Sequence, residues 1–344
     1  VLGSFLAVLS AATFAFNNAA LRRGVLSGSV VQALAITVPI GVPIFLAVAL
    51  ATGGVARFSS FPAAAVQMMA LVGVLHFIGG RYCNYRSTRA IGANLSGPVI
   101  QLSLVVTLLL AVTVLHEQLT PLRLLGIVLV VLGPSLTRSG EPRKSKDATR
   151  IAGSETAVLT PTEAEIKEQK SAFKPRYLEG YLFGLICAVA YGTTPIMVRM
   201  ALDAAGPGSS FVAGVISYGS ATAVIALSLL WPGQWRHVRA TKPEAVRWFA
   251  FSGVFVCLSQ MFIYMAYSIA PVSTVTPLLQ LQLIFRLMFS RLLNPHHEVF
   301  GHGMVLGTIV SLIGAVALSV STEVVLDYIP LPDFLAALAR WQWP

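Results

Sequence analysis

The pentapeptide Pro98-Val99-Ile100-Gln101-Leu102 returns later in the chain as Pro277-Leu278-Leu279-Gln280-Leu281, 179 residues on. On the N-terminal side, Ala11-Ala12-Thr13-Phe14-Ala15 followed by Arg22 lines up with Ala188-Val189-Ala190-Tyr191-Gly192 followed by Arg199, at an offset of 177. On the C-terminal side, His116-Glu117 matches His297-Glu298, and Gly126 and Gly133 match Gly307 and Gly314, at 181. An offset that drifts slowly and in one order marks an internal repeat.

Each copy consists mostly of apolar runs. A transmembrane helix needs about 20 largely apolar residues to cross a hydrocarbon core. Ten segments qualify, at approximately 2–20, 30–51, 66–85, 91–115, 121–137, 179–201, 211–231, 247–268, 272–293 and 303–321. Most connections between them are a few residues long, as at Gly28-Ser29 or Ala270-Pro271, and helices joined so tightly are antiparallel neighbours. With five spans per copy, an odd number, the second copy enters the membrane in the opposite sense to the first. The expected fold is therefore all-α: a polytopic membrane protein of ten helices in two inverted five-helix repeats, an architecture suited to a central site that opens alternately to either side. The expected divisions are a first repeat at 1–138, a solvated charged linker at 139–176, a second repeat at 177–321 and an amphipathic tail at 322–344.

Composition agrees. Of 344 residues only 11% are charged and 56% are hydrophobic, with a mean hydropathy of +0.76. A soluble domain carries about a quarter charged residues, and a chain this apolar is not disordered. Arg138 to Arg176 alone holds nine basic and six acidic residues, with Pro142, Pro161 and Pro175 among them. This is the pattern of a flexible connector. The net charge of +10 reflects bases retained on one side of a membrane rather than nucleic-acid binding. Cys83, Cys187 and Cys257 lie in apolar runs at unrelated spacings, matching neither a disulfide framework nor a zinc set, and are expected to pack. The chain starts at Val1 without a basic leader, so its first apolar run is expected to be a span and not a signal peptide.

The stretch Arg89-Ala90-Ile91-Gly92-Ala93-Asn94-Leu95-Ser96-Gly97-Pro98, then His116-Glu117-Gln118-Leu119-Thr120, then Leu125-Gly126 through Leu132-Gly133 resembles the end of an EamA-type repeat of the drug/metabolite transporter superfamily. The pattern recurs from Ala270-Pro271-Val272-Ser273 through Glu298 to Gly314, and the resemblance covers the whole chain. It departs at Asn294-Pro295-His296-His297-Glu298, where such proteins usually carry a shorter turn. The resemblance implies ten helices in two inverted repeats that move small metabolites through a central cavity. Glu117 and Glu298, at helix starts in both halves, are expected to meet backbone amides at a positive dipole end, a structural role.

Polar groups inside spans are costly, hence usually internal and often functional. They concentrate in spans one, three, four, six, eight and nine, which are expected to line the cavity. The candidate substrate-binding residues are Asn17, Asn18, His76, Arg81, Tyr85, Gln101, Tyr191, Thr194, Gln260, Tyr264, Gln280 and Arg286. No Asp or Glu falls near the centre of a span, which disfavours hydrophobic cations, because these need a buried carboxylate as counter-ion. Arg81 and Arg286 instead suit an anionic or zwitterionic ligand such as an amino acid or another organic acid, held in a bidentate fork. The alternative for each is pairing with a carbonyl or snorkelling, and for Arg22, Arg199 and Arg291 at helix ends snorkelling is expected. His76 is either a packing residue or a proton-coupling group. Pro98, Pro195 and Pro277 kink their spans and free a carbonyl, which a broken helix can turn toward substrate. Gln101 and Gln280 share a helical face with Pro98 and Pro277.

The rival is a membrane-embedded enzyme with a site around His296, His297 and His302; histidines confined to one short loop make a weak metal set. No cofactor or metal is expected, and the partners are a small-molecule substrate and the lipid bilayer. The chain is expected to act as a monomer or homodimer in a bacterial inner (plasma) membrane. Eighteen Lys and Arg follow odd-numbered spans and four lie on the other side. By the positive-inside rule the linker is cytoplasmic and the termini are outside, whereas the resemblance implies cytoplasmic termini; the charges are followed here.

Overall fold

The computed structural model describes residues 2–115, 120–138, 175–206, 208–269, 275, 278–298, 301–320, 322–328 and 332–341. Among them every regular element is helical. The first half begins with α1 (Leu2–Ser27), α2 (Val30–Thr37) and α3 (Gly41–Ala51). Ser29 starts α2 through a capping box with Gln32, which satisfies two free amides at once. Pro39 has no amide to donate, and α2 stops just before it. A 3-10 turn (Gly54–Ser60) leads into α4 (Ala63–Val72), a π-helical stretch (Gly73–Gly80), α5 (Arg81–Ile100), α6 (Ser103–Leu115) and α7 (Pro121–Arg138).

The second half contains α8 (Tyr177–Ala205), α9 (Ser210–Leu229), the short α10 (Gln234–Arg239), α11 (Pro243–Ile269), α12 (Gln282–Leu293) and α13 (His302–Ser319). Two short helices follow, α14 (Thr322–Tyr328) and α15 (Asp333–Ala339). On α15 and just beyond it Phe334, Leu338 and Trp341 are exposed.

Among the described residues six helical rods are long and apolar enough to cross a membrane: Leu2–Ser27, Val30–Ala51, Ala63–Thr107, Tyr177–Ala205, Ser210–Leu229 and Pro243–Ile269. A seventh is formed if the bent pair at His302–Ala317 and Thr322–Tyr328 is one span. The expected third and fourth spans are corrected in detail. Residues 86–90, anticipated as a loop, are helical, and the rod from Ala63 to Thr107 is interrupted instead at Gly92, whose φ of 85° and ψ of 165° are non-helical. Such a conformation is essentially confined to glycine. A second break, at Gln101 and Leu102, separates α5 from α6. The start of the expected ninth span, Pro277 included, and most of the linker lie outside the described residues.

Helix α1 packs along α11 and α12, and its repeat counterpart α8 packs along α4, α5 and α6. Helix α3 meets α9, and α7 meets α13. Exchanging each helix for its counterpart in the other half maps this set of contacts onto itself. The α7–α13 crossing is close: a Cβ at Gly133 would stand 2.9 Å from the Gly307 carbonyl, and one at Gly314 2.7 Å from the Val130 amide. Small residues permit such backbone approach between membrane helices. The main core joins the halves through Phe45, Phe77, Tyr85, Tyr218 and Phe249. Outward faces carry large apolar side chains such as Leu178, Leu230 and Trp231, the surface a lipid solvent requires.

Candidate functional site

A cavity of about 170 Å³ lies where α1, α4, the π-helical stretch, α8 and α11 converge. Its polar wall consists of Ser10, His76, Tyr191, Thr194, Ser259 and Gln260, with Tyr264, Tyr267 and Gln282 beside them. Phe14, Val72, Val198 and Ile263 supply apolar surface. None of these side chains carries a full charge when its histidine is neutral.

His76 organises the wall. It is carried on the π-helical stretch, a distortion that recurs at functional sites because it redirects a side chain out of the regular helical row. Its Nδ1 lies 2.9 Å from Thr194 Oγ1 and its Nε2 3.2 Å from Gln260 Nε2. The Gln260 amide donates to Nε2, so the ring proton sits on Nδ1 and is donated to Thr194, whose hydroxyl in turn points at the Tyr191 carbonyl. Both ring nitrogens are thus used by a neutral imidazole. Tyr191 stacks on the ring at 4.3 Å with the planes 20° apart. Opposite, Ser10 and Ser259 clasp reciprocally: each hydroxyl donates to the other's carbonyl, at 2.9 and 3.0 Å.

Of the twelve sequence candidates, His76, Tyr191, Thr194, Gln260 and Tyr264 line the cavity. The others serve the packing around it. Arg81 is buried behind the wall, 4.6 Å from the Phe77 ring centroid, and donates to Tyr218 Oη at 2.9 Å. Its Nη1 is buried without a hydrogen-bond partner, and among the described residues no carboxylate pairs with it. Tyr85 donates to Thr37 at 3.0 Å, and Asn17 accepts from Ser252 at 2.6 Å. Asn18 binds the Phe14 carbonyl. Gln101 and Gln280 are buried away from the cavity wall. Arg286 does not form a free fork: its Nη1 donates to the Ala93 carbonyl at 3.1 Å.

Two further expectations change. The fourth span supplies no residue to the wall, while the first, third, sixth, eighth and ninth do. Arg22 does not snorkel; it is 1% exposed, with Nε 3.5 Å from Glu298 Oε1. Glu298 accepts from the amides of Ala93 and Asn94 at 2.7 and 3.0 Å. Its expected role at a helix start is therefore met on a helix of the other half, whereas Glu117 lies outside the described residues. Ser10 and Tyr267 were not singled out by sequence. Ser10 is a small hydroxyl of a kind that is ordinary inside an apolar helix, and Tyr267 sits at a helix end where an interfacial ring is ordinary. Proximity to Ser259, from the other half, is what gives Ser10 its place.

The alternative site is not assembled. Among the described residues no three His, Cys, Asp or Glu side chains gather as metal ligands. His296 and His302 are exposed, and His297 offers its carbonyl to Arg22.

The model of the EamA-like transporter family matches residues 1–138 and 178–320. A solved structure described only as "Crystal structure of protein" is similar over 92% of this chain and 94% of that one, with a TM-score of 0.53 and 16% identity. That likeness is one of fold. Comparison with curated proteins gives no match.

Proposed function

The chain belongs to the EamA-like transporter family and is accordingly a multi-pass membrane transporter of the drug/metabolite type; from that premise we propose that it is a secondary carrier of a small organic anion or zwitterion, such as an amino acid, working by alternating access. Ten helices in two inverted repeats carry this cycle, and the exchange-symmetric helix contacts support that arrangement. The carrying observation is the His76 cavity: neutral donors and acceptors on an aromatic frame, with the unpaired cation of Arg81 behind it. A cavity of about 150 Å³ admits benzene, so about 170 Å³ suits the body of a small metabolite. Among the described residues three buried arginines, Arg22, Arg81 and Arg286, stand with one buried carboxylate, Glu298. The resulting positive excess favours a ligand bearing a carboxylate and disfavours a lone cation.

Lining residues come from the early part of α1 and the late part of α11. With antiparallel spans, this supports a cavity nearer the face that holds the chain ends. The linker and most bases lie on the opposite, cytoplasmic face, in a membrane we propose to be a bacterial inner membrane, with the protein a monomer or homodimer.

Reconstitution and counterflow test the reading. Labelled amino acids or small organic acids are expected to exchange into preloaded vesicles, and His76→Phe, which strands Thr194 and Gln260, to lower that exchange at least tenfold. Exchange of hydrophobic cations alone would overturn it.

A further inference from the structure

The two arginines matched by the repeat, Arg22 and Arg199, are in opposite circumstances. Arg22 is sealed: its side chain is 1% exposed beside a fully buried Glu298 carboxylate. It donates to the carbonyls of Arg89 at 3.0 Å and His297 at 2.8 Å. Glu298 in turn holds the first amides of the helix that resumes after Gly92, where the partial positive charge of a helix start adds to that of the guanidinium. Arg286 reaches the Ala93 carbonyl of the same turn, and Asn294 donates to the Ala19 carbonyl at 2.9 Å. The end of α1, the break in α5 and the segment after α12 are thereby fastened together, first half to second, on the linker face. Arg199 has none of this. Its side chain is 58% exposed and lies 3.5 Å from Asp203, itself 70% exposed, one turn along the same helix. An exposed pair of this kind contributes little.

We infer that Arg22 and Glu298 form the latch that closes the linker face, and that Arg199 is the released counterpart, drawn in when the cavity changes sides. The inference rests on the alternating-access reading above. A carrier built from two equivalent halves reverses by exchanging their conformations, so a contact made by one half at one face is remade by the other at the opposite face. Arg22 and Glu298 are positioning residues here: they touch no ligand and set which face is open.

Thr88, fully buried and on the segment whose carbonyls Arg22 binds, reports the latch. Thr88→Cys is placed in the full chain in lipid nanodiscs and its labelling by a membrane-impermeant maleimide is timed, against a background set by the three buried native cysteines. The reporter is expected to label slowly, several-fold faster with Glu298→Gln, and more slowly still with Arg199→Gln. Arg22→Gln/Glu298→Gln, which removes both charges of the pair together, must show the same acceleration. Protection unchanged in both latch variants, with elution and melting like the parent's, would overturn the latch. Ser10→Cys, on the cavity wall, tests the other reading separately: its failure to label in any background would refute the cavity and leave the Thr88 result standing.

Discussion

Gly92 is the residue at which the long third rod turns. Its backbone angles exclude other side chains, and a Cβ there would come within 2.5 Å of Glu298 Oε2. Gly92→Ala is therefore expected to cost about 1–3 kcal/mol in strain and to loosen the latch as well, seen as a lower melting temperature in detergent. Glu298→Ala leaves Arg22 buried without its carboxylate, a change that costs about 3–5 kcal/mol, and the same melting assay should show the larger drop. Sequence marked Glu298 as a backbone-binding carboxylate but not its partner, because the arginine comes from the other half and stands at a helix end where exposure is the usual outcome. His76 was legible as the one imidazole inside a span of its half. That both its nitrogens are occupied by residues of α8 and α11 was not, since nothing local to Gly73–Gly80 names Thr194 or Gln260.

Among the elements, α7 and α13 depend on having almost no side chain between them. Gly133→Val would drive methyl groups into Ser311 and the Gly307 backbone, and overpacking of this kind costs about 1–3 kcal/mol; reduced yield of monodisperse protein is the expected readout. Glycine spacing in both halves announced these helices, and the repeat announced that they correspond, but only the fold shows that they meet. The π-helical stretch was invisible beforehand. Hydrophobic periodicity there reads as ordinary helix, and the helices it packs against, α8 and α9, come from the other half. Gly80→Ala would press on the Tyr191 ring, 2.6 Å from the new Cβ, and is expected to lower exchange by displacing the ring that stacks on His76, with melting changed much less.

For the molecule as a whole, scarcity of charge was enough to identify a membrane protein, and the repeat was enough to pair its helices. Five cavity residues were visible as polar groups deep in apolar runs. The remaining seven candidates shared that signature but lie off the wall, several of them bonded to other side chains or to the backbone, a distinction set by distances in the fold that no local pattern encodes. Orientation is open to direct measurement. With most bases on the linker face, a reporter fused after the C-terminus is expected to be active only if it folds outside the cytoplasm, and activity of a cytoplasm-specific reporter there would reverse the assignment. The rod from Ala63 to Thr107 carries His76 and the Gly92 break on one continuous helical stretch. At about 1.5 Å per residue they stand about 24 Å apart. Such a rod is a lever: a small tilt imposed where the ligand touches the imidazole becomes a proportionate swing at the Gly92 joint.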